Sequence, residues 1–280
     1  MILPTVLVLG TFFVIPLLNA FRYSFTRWDL LTPPEPAGLS NYERIVGSGQ
    51  LLQVVWRTLT FGVLVVVGST TLGLLLAVLL RREGRLFAFV RGAVFSAYVV
   101  SWVAVALLWM WLLDGNAGLI ARATKAVGLT PVNWLGEQDT ALFAIAFVTI
   151  WKITGYAMVI YLAGLTAIPN SLYEAASLEG AGKLSQFWHI TWPSLWPTTL
   201  FVATTGLIMS FQAFDVVRIM TQGGPVQSTT LFVYAIYEEI FQNLRVGRAS
   251  ALIVLFFVFL MGLTLLNIFA FSRRDRARGT

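Results

Sequence analysis

Six long apolar runs, separated by polar stretches rich in turn residues, organise this 280-residue chain. They are Ile2–Ala20, Leu59–Leu80, Ala93–Leu113, Ala141–Ile168, Leu195–Phe214 and Ala251–Phe271. A helix crosses the hydrocarbon core of a bilayer with about 20 apolar residues, so each run predicts a transmembrane helix. The first run has no basic segment before it and no small-residue cleavage signal, and it reads as a retained span rather than a signal peptide. The expected fold is all-α: a polytopic membrane protein with about six transmembrane helices. Residues 1–58 hold the first helix and a long external loop, 59–271 the five-helix core, and 272–280 a basic tail.

The polar stretch at 169–193 has its own local pattern. Ser171-Leu172-Tyr173-Glu174 matches a Ser-x-x-Glu capping box, which predicts a new helix starting at Ser171. Leu172, Ala175, Ala176 and Glu179 fall on one face at helical spacing, and Gly180 provides the left-handed stop. The two alanines let a neighbouring backbone approach closely, and Glu174 and Glu179 offer charge to a basic partner. Lys183–Ile190 reads as a second short helix or turn. Trp192-Pro193 then restarts a helix into the fifth run, proline being tolerated in a first turn.

Composition sharpens this picture. The chain is 58% hydrophobic and only 11% charged, with a mean hydropathy of +0.79. A soluble domain carries about 25% charged residues, so this chain lacks the polar surface to face water. It contains no cysteine, which excludes disulfide, thiolate-metal and cysteine-nucleophile chemistry. A net charge of +6 permits nucleic-acid binding, but the cations cluster at span ends, where anionic lipid accounts for them. Arg81, Arg82, Arg85 and Arg91 make four arginines in eleven residues, and Arg273, Arg274, Arg276 and Arg278 four more in the tail. The positive-inside rule puts these segments, the 169–193 loop and both termini in the cytoplasm. The assignment rests on density. The opposite stretches, Phe21–Thr58, Asp114–Thr140 and Asp215–Arg248, also carry nine Lys and Arg, as many as the proposed inner side. Those outer stretches hold turn chemistry, Pro33-Pro34-Glu35-Pro36 and Gly223-Gly224-Pro225, and an amphipathic segment at Leu231–Phe241. They are either docking loops or plain connectors.

Polar groups inside spans are costly and face the interior or a cavity. Lys152 lies near the middle of the fourth run. It is a substrate contact, an interior latch, or a snorkelling or carbonyl-paired lysine. Gln212 and Asp215, toward the outer end of the fifth run, either bond solute hydroxyls or sit at the wet interface. Trp151 and Tyr156, near Lys152 in the same run, are further candidates; Ser96, Ser101, Thr149, Thr154 and Asn267 are weaker ones. Trp102, Trp109, Trp111 and Trp151 stack on sugar rings or form the interfacial belt. The lone His189 has no second ligand near it in sequence, so no metal site is expected. No set of carboxylates or Ser/His/Asp converges within the spans, which argues against an intramembrane enzyme.

Glu174-Ala175-Ala176, Gly180-Ala181, Phe187, Ile190, Pro193 and Pro197 resemble the EAA loop of binding-protein-dependent ABC importer permeases. Glu179 replaces the usual aspartate and keeps its charge; Trp192 replaces the usual leucine. Gly38-Leu39-Ser40-Asn41-Tyr42, Trp151-Lys152, Gly155-Tyr156, Leu162-Ala163-Gly164-Leu165 and Thr221-Gln222-Gly223-Gly224-Pro225 are similar to the carbohydrate-uptake branch, the maltose-type and sn-glycerol-3-phosphate-type permeases. The resemblance implies a type I importer permease fold in the bacterial or archaeal plasma membrane. It implies that Glu174, Ala175, Ala176, Glu179, Gly180 and Ala181 form a coupling helix seated on a cytoplasmic ATPase. Lys152, Trp151, Gln212, Asp215 and Tyr156 are the solute-path candidates, and Gly223, Gly224, Pro225, Asn41 and Tyr42 the binding-protein docking candidates. The implied partners are a second homologous permease, two ATPase copies and an external solute-binding protein. The chain has no Gly-x-x-x-x-Gly-Lys-Ser/Thr loop, so ATP and Mg²⁺ are expected on the ATPase chains and no cofactor on this one. The rival expectations are an importer permease for a non-carbohydrate solute and a secondary transporter, which would show inverted repeats.

Overall fold

The computed structural model describes residues 3–278, with side chains described through residue 265. Asn267 and the arginines of the tail therefore lie outside the described side chains. The chain opens with α1 (Leu3–Leu9) and α2 (Ile15–Tyr23), joined by a π-helical turn into one 21-residue apolar helix. A short antiparallel pair, β1 (Thr26–Arg27) and β2 (Glu35–Pro36), precedes α3 (Ser40–Gly47) and α4 (Gln50–Leu79). Next come α5 (Arg85–Val99), α6 (Trp102–Leu112), α7 (Leu119–Ala126) and α8 (Gln138–Thr166). Then follow α9 (Asn170–Leu178), α10 (Lys183–Gln186), α11 (Trp192–Ser194), α12 (Trp196–Phe211), α13 (Asp215–Met220), α14 (Phe232–Tyr237) and α15 (Val246–Arg278). The all-α polytopic fold expected from the apolar runs is the fold observed.

Among the described residues, four helices are long and apolar enough to cross a membrane, and two bent helix pairs raise the number to six. About six spans is the number expected from the apolar runs; the bends in two of them were not anticipated. The third run is broken at Val100-Ser101, where α5 and α6 meet at 101°. Both linking residues are extended, with ψ of 144° and 139°. The fifth run is the second half of a pair bent by 63° between Ser194 and Trp196. Pro197 has no N–H to donate to the carbonyl of Pro193, so the helical ladder lapses there. The second run starts earlier than its apolar core: α4 has 30 residues, about 45 Å at 1.5 Å per residue, and its first turns carry Gln50, Gln53 and Arg57.

The chain divides into two compact units, Met1–Trp56 with Phe232–Thr280, and Arg57–Leu231. In the first, Ile45, Val54, Phe232, Ala235, Ala251 and Leu252 form a buried core. No residue of α1 or α2 is fully buried; α2 packs against α15, and most of the rest of that helix is exposed. In the second unit α8 is the central element, with fourteen buried residues. Small residues let other helices close on it, as they do at membrane helix interfaces. A Cβ on Gly73 of α4 would stand 2.6 Å from Ala157, and one on Gly155 would stand 2.5 Å from the Val94 carbonyl oxygen of α5. A core of Ala77, Met158, Tyr161, Leu165, Leu195 and Val202 continues from this contact toward α12.

Candidate functional site

Two sites emerge in the second unit. The first is the short helix α9. Its start corrects the capping-box expectation. The N-cap is Pro169, at φ −60° and ψ 131°, with no side-chain cap, and the helix begins at Asn170. Proline's fixed φ sets the entry, and Ser171 is already inside the first turn. The Glu174 carboxylate is therefore not spent on a cap. Glu174 and Glu179 are exposed, and their carboxylates make no hydrogen bond or ion pair among the described residues.

The end of α9 is closed by a Schellman motif. Gly180 has φ +81°, its N–H donates to the Ser177 carbonyl at 3.1 Å, and the Ala181 N–H donates to the Ala176 carbonyl at 2.9 Å. Nothing lies within 4 Å of a Cβ at Gly180, so glycine is needed there for conformation rather than space. Ala175 is exposed and Ala176 half-buried. Leu178, three residues on from Ala175, is 91% exposed, and Leu184 across the glycine turn is 73% exposed. Neither leucine stood out in the sequence, because each sits beside residues of opposite polarity. Three hydrogen bonds fix this segment from behind. The Tyr173 and Thr191 hydroxyls meet at 2.9 Å, and Gln186 Nε2 donates to Ser177 Oγ at 2.9 Å and to the Ala181 carbonyl at 3.0 Å. The Arg81 guanidinium lies 5.5 Å above the Tyr173 ring. The exposed face is an apolar and acidic knob on a braced base.

The second site lies at the break between α5 and α6. Lys152, 1% exposed, donates to the carbonyls of Ala97 and Tyr98 at 3.1 Å each and to that of Val100. Its Nζ also stands 4.8 Å from the Trp102 ring centroid. A lysine ammonium has three donors, and three carbonyls left bare at the end of α5 accept them. Beside this break a cavity of about 320 Å³ is lined by Tyr98, Trp102, Ile153, Met209, Gln212, Asp215 and their neighbours. Gln212 and Asp215 face it; Tyr156 adjoins it by stacking on Tyr98 at 5.1 Å and 29°. Trp151 does not line it and packs instead edge-on against Trp109 at 5.5 Å. Tyr98 and Met209 are lining residues that the sequence did not single out. Thr149 and Thr154 bond carbonyls one turn back in α8, and Ser96 does so in α5.

The outer-loop candidates hold their own loops together. The Thr229 hydroxyl donates to the Gly224 carbonyl at 2.8 Å, and the Thr230 hydroxyl to that of Gly223 at 3.3 Å. Gly223 is buried, while Val226 at the tip beyond Pro225 is 78% exposed. In the other unit, Asn41 Nδ2 donates to the Ser24 and Thr26 carbonyls at 2.9 Å, and Tyr42 donates to Ser24 Oγ at 2.7 Å.

Helices long and apolar enough to cross a membrane, a cavity beside a broken span and a braced, exposed surface helix are the features of a membrane permease. Residues 69–276 match the family model of the binding-protein-dependent transport system inner membrane component, and the chain belongs to that family. It is 31% identical, over 98% of its length and 93% of the relative's, to the sn-glycerol-3-phosphate transport system permease protein UgpA of Pectobacterium atrosepticum. It is 32% identical, over 95% of its length and 90% of the relative's, to the trehalose/maltose transport system permease protein MalF of Thermococcus litoralis. Among solved structures, a bacterial ABC transporter involved in import of the acidic polysaccharide alginate superposes with a TM-score of 0.83 at 23% identity, covering 98% of this chain and 94% of that one. That likeness establishes the fold of an ABC importer permease.

Proposed function

We propose that this chain is one of two permease subunits of an ATP-driven importer for a sugar, a short oligosaccharide or a glycerol-3-phosphate-like solute. Its partners are a second, related permease, two cytoplasmic ATPase copies that bind ATP and Mg²⁺, and an external solute-binding protein. Both termini and α9 face the cytoplasm. The chain itself is not catalytic.

The observation that carries this reading is the exposed face of α9. Glu174, Ala175, Leu178 and Glu179 stand free of the body while Tyr173, Gln186 and Thr191 brace the helix from behind. Such a knob transmits force only if something grips it. An ATPase that closes on ATP would move α9 as a rigid lever, and the braces would pass that motion to α12. The solute would then pass the cavity at Tyr98, Gln212 and Asp215, whose aromatic and hydrogen-bonding groups suit a polyhydroxylated molecule. The exposed loop tips, Leu31 at 80% and Val226 at 78%, are the surfaces on which a binding protein would seat.

The test is ATPase stimulation in proteoliposomes of the reconstituted complex, with the binding protein presented with a panel of sugars and glycerophosphates. Stimulation by a member of that panel is expected. A flat response to all of them, with stimulation by amino acids or peptides, would overturn the solute class.

A further inference from the structure

The first unit holds a cavity beneath the loop that carries Leu31. It measures about 350 Å³ and is lined by Arg27, Trp28, Asp29, Glu35, Asn41, Arg44, Arg245 and Arg248 among others. Four arginines against two carboxylates leave the lining at 4 − 2 = +2. Among the described residues, Arg27, Arg44 and Arg245 pair with no carboxylate, and Arg248 reaches Glu239 only at 3.7 Å. Asp29 forms no ion pair with them among the described residues; its Oδ1 accepts instead from the Leu31 and Thr32 amides and the Thr32 hydroxyl at 2.8–3.1 Å. The start of α15 also lies on this wall, at Arg245 and Gly247; the backbone there presses so close that a Cβ on Gly247 would stand 1.9 Å from the Thr26 carbonyl oxygen. A helix N-terminus adds positive potential to an anion site.

Position decides which anion. The apolar helix Leu3–Tyr23 ends four residues before Arg27, and the apolar helix Val246–Leu265 begins directly after Arg245. Two membrane spans therefore terminate at the rim of this cavity. An aromatic cluster marks the same level, with Tyr23 on Trp28 at 4.6 Å and Phe25 on Tyr42 at 5.6 Å, as aromatic belts do at headgroup depth. Below the rim, Leu18 and Phe21 of α2 are 61% and 54% exposed, an apolar face along which acyl chains can lie. We propose that this cavity binds the phosphate of an anionic phospholipid, gripped by Arg27, Arg44 and Arg245, with the acyl chains along α2. Guanidinium groups suit phosphate because their paired N–H donors match two of its oxygens.

The test uses the purified complex in nanodiscs of phosphatidylcholine with or without phosphatidylglycerol, with bound lipid counted by native mass spectrometry. The wild type is expected to retain phosphatidylglycerol selectively. Arg27→Gln/Arg245→Gln is expected to weaken that retention about tenfold or more, the loss of one to two charge-assisted contacts. Arg44→Gln gives an independent reading should the double variant assemble poorly, and Arg122→Gln, outside the cavity, controls for net charge. Retention of phosphatidylcholine equal to that of phosphatidylglycerol overturns the proposal. So does unchanged lipid retention in the variants with reduced binding-protein-stimulated ATPase, which would make the cavity a protein docking site.

Discussion

Replacing Lys152 by methionine removes the ammonium that closes the end of α5. The side chains are similar in length, so no large cavity opens. What is lost is the donor set for the carbonyls of Ala97, Tyr98 and Val100. Each buried acceptor left without a partner costs about 1–3 kcal/mol, and three of them sum to about 3–9 kcal/mol. Methionine also relieves the cost of burying a charge, which moves the expectation toward about 3 kcal/mol. Because these carbonyls belong to the 101° break beside the cavity proposed to pass solute, the effect should reach function as well. The assay is thermal unfolding of the assembled complex alongside solute transport in proteoliposomes. We expect a less stable complex and a raised transport KM, with partial recovery in Lys152→Arg, which keeps charge and donors. A methionine variant that unfolds like the wild type and transports with the same KM would refute the role of Lys152 as the latch of this break.

Further outcomes follow from the same geometry. Gly155→Ala drives a methyl group to 2.5 Å from the Val94 carbonyl oxygen and should cost about 1–3 kcal/mol by overpacking, read as a lower unfolding temperature; an unchanged one would mean α5 and α8 are not in close contact. Gly180→Val forces a β-branched residue to φ +81°, costing about 1–3 kcal/mol locally, and Glu174→Arg reverses a free charge; both should leave the complex assembled but sever transport from ATP hydrolysis, and normal transport by both variants would end the coupling-helix reading. The Thr32 amide and hydroxyl hold the Asp29 carboxyl below the usual carboxylate range. Its folded pKa lies beneath the unfolded value, so its contribution to loop order is present above ordinary carboxylate pKa values and fades as pH falls through the lowered one. Protease sensitivity of residues 28–36 should rise over that acidic window in the wild type and stay flat in Asp29→Asn.

Much of the fold was legible because membrane burial writes itself as long apolar runs, and the Gly180 stop was legible because a left-handed helix end favours one residue. The breaks were not. Val99-Val100-Ser101-Trp102 reads as uninterrupted span, and the group that stabilises its interruption, Lys152, lies more than fifty residues away. The lysine could be flagged as costly, but its partners are backbone carbonyls that every residue possesses. At α9 the Ser-x-x-Glu pattern was a false lead, because Pro169 had already fixed where the helix enters. Leu178 and Leu184 carry the knob's apolar surface, yet an isolated leucine in a polar loop gives no sign of which way it points. The arginine cavity joins residues about 200 positions apart in the chain, and no local pattern unites them.

The central claim is that α9 is the surface on which a separate ATPase pulls. The chain contains no cysteine, so Leu178→Cys places a single thiol at a highly exposed point of that helix. A short reagent with a thiol-reactive end and a photoreactive end, attached at residue 178 and illuminated in membranes holding the whole complex, should join this chain to the ATPase subunit, giving one adduct of summed mass. Leu52→Cys, also exposed but outside the coupling segment, should give none. Absence of the adduct at residue 178, with the complex intact and the thiol labelled, would contradict the account.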